Sequence, residues 1–232
     1  MDRKTKSNED LYTPSLWCKR MDPNTVVNKH IEIVQLISEK IKKSRYSIST
    51  NIRYGSGDQQ LLDVYEDELT SLDYTFVYIH GGYWQDLNKD ISAYCVEPLV
   101  NAGIRVVIPG YDLAPKVTLH NIVEEIHQLL SYLKDCLKYK ETCLQLSPLN
   151  SLCGLDFTNF MSQVHVKVLV VYAENDSPAF HFQSKQFTKF LDKLGLEVTE
   201  ERINGVDHFD IVENLANKDY SLTKTIINFI LN

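Results

Sequence analysis

No stretch of this 232-residue chain approaches the roughly 18 consecutive apolar residues of a membrane-spanning helix, which argues against a membrane partner. Basic residues are in deficit: 24 Lys and Arg stand against 31 Asp and Glu, a formal net charge of −7, so the electrostatic footprint of nucleic-acid binding is missing. The five cysteines (Cys18, Cys95, Cys136, Cys143 and Cys153) form an odd set with no Cys-x-x-Cys spacing. That suits reduced thiols in a cytoplasmic protein and argues against a disulfide framework or a zinc site. Nine glycines and seven prolines without a period exclude collagen-like or low-complexity architecture. The first ten residues are polar, lack the apolar segment of a signal peptide and are expected to be disordered. What is present is ordinary globular composition, 44% apolar and 24% charged.

Patterning predicts an α/β fold. Apolar residues at 27, 31, 34, 37 and 41 mark a helix over 24–43, with lysines at its C-terminal end. Two β-rich stretches, 46–54 and 61–65, flank the turn Gly55-Ser56-Gly57-Asp58 and read as a hairpin. Strands are expected at 74–79, 104–108, 166–172 and 197–203, and helices at 91–102, 118–138, around 187–194 and within 211–231. Val166–Tyr172 is almost continuously β-branched, the pattern of a strand buried on both faces. Buried strands alternating with amphipathic helices imply a mostly parallel sheet flanked by helices, and no linker divides the chain, so a single domain over 1–232 is expected.

Three segments could carry chemistry. The strand at 74–79 runs into His80-Gly81-Gly82-Tyr83-Trp84. Glycines there let backbone N–H groups approach a ligand, as an oxyanion hole requires, although a plain Gly-Gly turn fits as well. Tyr83 and Trp84 suit a pocket wall. Asp176 follows the strand at 166–172, where it could orient a histidine or simply cap the helix that Pro178 opens. His208 follows the last strand. The order His-Gly-Gly, acid, histidine is that of α/β-hydrolases.

At this point a resemblance becomes specific. His80-Gly81-Gly82-Tyr83-Trp84 is similar to the HGGxW motif of kynurenine formamidases (arylformamidases), and Leu11–Trp17 and Gly110–Pro115 also resemble that family. The similarity spans most of 11–140 and again 143–230. It implies an α/β-hydrolase that converts N-formyl-L-kynurenine and water to L-kynurenine and formate in tryptophan breakdown. It further implies a Ser-Asp-His triad with Asp176 and His208 as acid and base, an oxyanion hole at His80–Trp84, an aromatic formamide substrate, and no metal or organic cofactor. The two loops would then flank one cleft. A homodimer stays open as the assembly. Two alternatives remain: a related carboxylesterase, and a non-catalytic protein that binds on what is left of the pocket.

One absence stands against the resemblance. A nucleophile elbow needs small residues two positions either side of the nucleophile, usually Gly-x-Ser-x-Gly, and no two glycines here are four apart. Gly110-Tyr111-Asp112-Leu113-Ala114 is the nearest relaxed match, but Pro115 follows at once and Asp112 reads as a loop residue. Ser56 sits in the hairpin turn, and neither Cys136 nor Cys143 has a glycine two positions away. Between the helix ending near 138 and the strand starting near 166 there is too little chain for a strand, an elbow, a helix and a further strand, which need on the order of 50 residues. We therefore expect an internal loss around 139–143 that removes the central elbow strand and its neighbour. It would leave either a gap in the sheet or direct pairing of strand 76–79 with strand 166–172.

Overall fold

The computed structural model of the chain describes residues 7–136, 141–145 and 167–232. In chain order its elements are helices α1 (Asn8–Leu11) and α2 (Val26–Lys42), strands β1 (Ser47–Arg53), β2 (Leu61–Glu66) and β3 (Ser71–Tyr78), and helix α3 (Val96–Asn101). Strand β4 (Ile104–Pro109), helix α4 (Leu119–Cys136), strands β5 (Glu141–Gln145) and β6 (Lys167–Ala173), and helix α5 (Pro178–Lys193) follow. Strand β7 (Glu197–Ile203) and helices α6 (Asp210–Glu213) and α7 (Ser221–Leu231) close the chain. These elements fall into two compact units, one made of residues 1–32 and 154–214, the other of 33–153 and 215–232.

The second unit carries a five-stranded mixed sheet in the order β1-β2-β4-β3-β5. The β1/β2 hairpin and the β2/β4 pair are antiparallel, whereas β3 is parallel to both β4 and β5. All six residues of β4 are buried, five of them apolar, and the sixth, Arg105, is paired with Glu66 through Nε at 2.8 Å. The apolar stripe of α4, with Ile122, Leu129 and Leu133, packs on Leu62, Val77 and Val107 of the sheet. Each such fully buried side chain contributes about 1.5–3 kcal/mol.

The expected helix over 91–102 is only its second half. Two 3₁₀ turns, Lys89–Ile91 and Ala93–Cys95, precede α3. Side chains draw the backbone out of a helical ladder here: Asn88 Oδ1 accepts the Asp90 N–H, and Ser38 Oγ accepts the Ala93 N–H.

In the first unit β6 and β7 pair in parallel over their full length, from Lys167 opposite Glu197 to Ala173 opposite Ile203. Burial on both faces of β6 is not what is found. Val170, Tyr172 and Ala173 are buried, while Val168, Leu169 and Val171 are half-buried, and among the described residues β6 pairs with β7 alone.

Two further expectations are corrected. Residues 8–10 stand in α1 instead of a disordered terminus, held by a reciprocal capping box in which Ser7 Oγ accepts the Asp10 N–H and Asp10 Oδ2 accepts the Ser7 N–H. The place expected to be a gap or a direct pairing with strand 166–172 is taken by β5, which pairs with β3 from Tyr74–Glu141 to Tyr78–Gln145. Five residues of mixed polarity give no readable period, so β5 is invisible before its partner is known. The rest of the interval around the expected loss, 137–140 and 146–166, lies outside the described residues.

Candidate active site

The His-Gly-Gly loop belongs to the second unit. His80 ends the apolar run of β3 and is 2% exposed. Its ring stacks on Tyr111 at 4.2 Å and 11°, and Tyr111 in turn packs against Trp84 at 5.2 Å. The Tyr111 hydroxyl donates to the His80 carbonyl at 2.8 Å, and His80 Nδ1–H donates to the Gly81 carbonyl at 2.9 Å. Both carbonyls are thereby fixed. The Gly81 and Gly82 N–H groups have no acceptor among the described residues. Among the described residues a side chain at Gly81 would meet nothing within 4 Å.

The turn that follows is strained. Gly82, Tyr83, Trp84 and Leu87 have φ of 102°, 53°, 63° and 66°, a left-handed run that costs non-glycine residues on the order of 1–3 kcal/mol each. Glycine is required at 82, since a Cβ would collide with the Asp86 carbonyl. The Gly82 carbonyl accepts the N–H groups of Gln85 and Asp86, and the Trp84 carbonyl accepts that of Ala114. A buried ion pair anchors the far end of the turn: Lys89 Nζ lies 2.9 and 3.1 Å from the carboxylate oxygens of Asp63.

Burial lowers the pKa of His80 from 6.5 to about 4, although the hydrogen bond to Gly81 opposes the shift. The ring is therefore a neutral donor. Between about pH 4 and 6.5 the unfolded chain binds the proton more readily than the folded one, so stability falls as pH drops through this window, by roughly 3 kcal/mol in all. Asp210, pushed up to about 6 chiefly by burial, works in the opposite direction. We expect the urea midpoint of His80→Gln to rise relative to that of the parent chain as pH drops across this window, because the variant keeps the opposing Asp210 effect and loses that of His80. Parallel pH dependences would show that His80 charges freely in the fold.

Asp176 and His208 belong to the first unit and are in contact. Asp176 Oδ1 accepts a hydrogen bond from His208 Nδ1 at 2.9 Å, and Asp176 Oδ2 accepts the Ala173 N–H at 2.9 Å. Asp176 does not cap α5. Ser177 does, accepting the Phe180 N–H, and this leaves the Asp176 carboxylate to the imidazole. Asp176 is buried and His208 side-chain exposure is 37%; Phe180 packs its ring 4.9 Å from the imidazole. Nε2 of His208 has no hydrogen-bond partner among the described residues. An imidazole so held, with its second nitrogen available, can accept a proton from a nucleophile or donate one to a leaving group.

Asp112 is buried and structural: its Oδ1 accepts the Gln59 N–H, and its own N–H is held by Glu125. Sequence reasoning missed the ionic network of Arg20, Asp207 and Glu213 next to His208, for which the acidic neighbours at 207 and 210 are the one local signal. Among the described residues no group of side chains could hold a metal ion, and no helix is long and apolar enough to cross a membrane.

No protein-family model matches the chain. Solved structures do. A Silicibacter protein assigned as a thioesterase superposes with a TM-score of 0.72 over 96% of this chain and 98% of its own, at 18% identity. An esterase of Pyrobaculum calidifontis superposes at 0.60 over 91% and 92%, at 16% identity. The fold is thus that of the α/β-hydrolases, in a reduced form. Among curated proteins the chain is similar to the kynurenine formamidase of Salmo salar (28% identical, 96% of this chain and 95% of the relative) and to that of Danio rerio (28%, 99% and 98%). The kynurenine formamidase of Drosophila melanogaster is 25% identical over 94% and 95%. These alignments run over 284 and 298 positions for the two fish proteins, yet this chain has 232 residues, so about 60 to 70 positions of each relative face no residue here.

Proposed function

We propose that this chain is a kynurenine formamidase-derived α/β-hydrolase that has lost its nucleophile and turns over N-formyl-L-kynurenine at no more than a trace rate. The observation that carries this reading is the alignment to the relatives: nearly end to end on both chains, with about 60 to 70 positions of each relative facing no residue here. A deficit of that size accommodates a strand, an elbow and a helix, and the sequence offers no Gly-x-Ser-x-Gly elsewhere.

In the intact reaction the serine attacks the formyl carbon. His208 Nε2 takes the serine proton and passes it to the departing aniline nitrogen, while Asp176 holds Nδ1–H and stabilises the imidazolium. N–H groups of the Gly81–Gly82 stretch take the oxyanion, and Tyr83 and Trp84 lie beside an aromatic formamide. Without the serine no formyl-enzyme can form, so only the donors and the base remain. Loss of a triad member leaves about 10³–10⁴-fold over water. The test is a purified-protein assay on N-formylkynurenine combined with a fluorophosphonate probe. We expect trace turnover and no labelled serine; turnover on the order of 1 s⁻¹, or stoichiometric labelling, defeats the proposal.

A further inference from the structure

His208 is held on one side by Asp176, and the segment that carries it is held on the other by a second set of charges. Asp207 Oδ1 accepts the N–H groups of Phe209 and Asp210 at 2.9 and 3.0 Å, so this carboxylate closes the turn around His208. Its other oxygen accepts Arg20 Nε at 3.0 Å and the Cys18 thiol at 2.9 Å. Arg20 Nη2 reaches Glu213, three residues past Asp210 in α6, at 3.0 and 2.9 Å, and Arg20 Nε lies 3.6 Å from Asp210. His30 Nδ1 also meets Glu213 Oε1, at 2.9 Å. One guanidinium thus spans the His208 turn from its first carboxylate to its last.

We propose that Arg20 is a positioning residue for His208: by clamping Asp207 and Glu213 it fixes the turn so that the imidazole presents Nδ1–H to Asp176. This rests on the reading of His208 as the base. Asp207 and Glu213 are both buried, so each needs a partner, and a planar fork bound to two carboxylates at once fixes direction as well as charge. The thiol of Cys18 fits the same arrangement. Burial, and then its hydrogen bond to Asp207, raise its pKa, so it stays protonated and donates. Against its own burial, the donors around Asp207 hold that carboxyl below the usual range. A lysine at 20 would carry the charge but reach one carboxylate at a time.

The experiment is long-range proton–nitrogen NMR of the full chain labelled in its histidines, at a pH where the ring is neutral, with His208 assigned by loss of its signals in His208→Gln. We expect His208 as the Nδ1–H tautomer in the parent chain. In Arg20→Gln we expect that tautomer to be lost as the dominant form, as in Asp176→Asn, with partial recovery in Arg20→Lys. A merely structural Arg20 would lower the unfolding temperature and leave the tautomer alone, and that result overturns the proposal. Should Arg20→Gln fail to fold, Arg20→Lys decides: a mixture of tautomers supports the clamp, and an unchanged Nδ1–H form overturns it. A parent chain without the Nδ1–H form would overturn the Asp176–His208 assignment itself, a failure distinct from that of Arg20 alone.

Discussion

On the proposed reading, restoring at the expected loss around 139–143 the roughly 60 to 70 positions of a fish relative that face no residue here is expected to raise N-formylkynurenine hydrolysis by several orders of magnitude. Removing a nucleophile from an assembled triad costs up to about 10⁶-fold in kcat, and its return should recover a comparable factor. The gain should come with stoichiometric fluorophosphonate labelling of the inserted serine. It should vanish in Asp176→Asn or His208→Gln of the repaired chain, because residues of a triad act as a unit. A repaired chain that unfolds cooperatively yet gains less than about 10-fold, against the 10⁶ that triads supply, would mean that Asp176, His208 and the Gly81–Gly82 stretch do not serve the inserted serine.

What sequence could and could not announce separates along physical lines. Strand β4 and helix α4 were legible because their apolar residues follow the pattern of one element: a run of Val106, Val107 and Ile108 behind Ile104 in the first case, a stripe at helical spacing in the second. The Asp176–His208 pair was legible through chain order, since each residue follows a strand and the acid comes before the base. Strand β5 was not, because its pairing with β3 is a property of the partner's backbone and leaves little trace in five residues. Nor was the clamp on His208: Arg20 and Asp207 lie 187 residues apart, and a pair so distant has no local signature. The strained turn after Gly82 announces itself only in part. Two adjacent glycines permit left-handed backbone, but nothing in Tyr83 and Trp84 says that they adopt it too.

That strain must be held by something, and Lys89 with Asp63 is the structure's answer within the second unit. Asp63 lies in the middle of β2 with 0% exposure and receives three donations on one oxygen pair: Lys89 Nζ at 2.9 and 3.1 Å, and the Asn51 N–H at 2.9 Å. Asn51 marks the bulge of β1 and has a φ of 55°, so a single carboxylate pins both a strained strand and the end of the strained turn. Lys89→Ala would leave that carboxylate buried and unpaired, and breaking such a pair costs about 3–5 kcal/mol. For a chain of this size this is a fall in Tm of roughly 10 °C, at about 2–4 °C per kcal/mol. Removing both charges is a different matter. In Lys89→Met/Asp63→Leu no ion is left without a partner, and the remaining penalty is the Asn51 N–H that loses its acceptor, about 1–3 kcal/mol. We therefore expect the double variant to melt above Lys89→Ala, a reversal of additivity that surface ion pairs, at about 0–1 kcal/mol, do not show. Thermal melts of the three chains at equal concentration measure it. A Lys89→Ala variant within about 1 kcal/mol of the parent would put Asp63 in reach of water, and the turn after Gly82 would have to be held elsewhere.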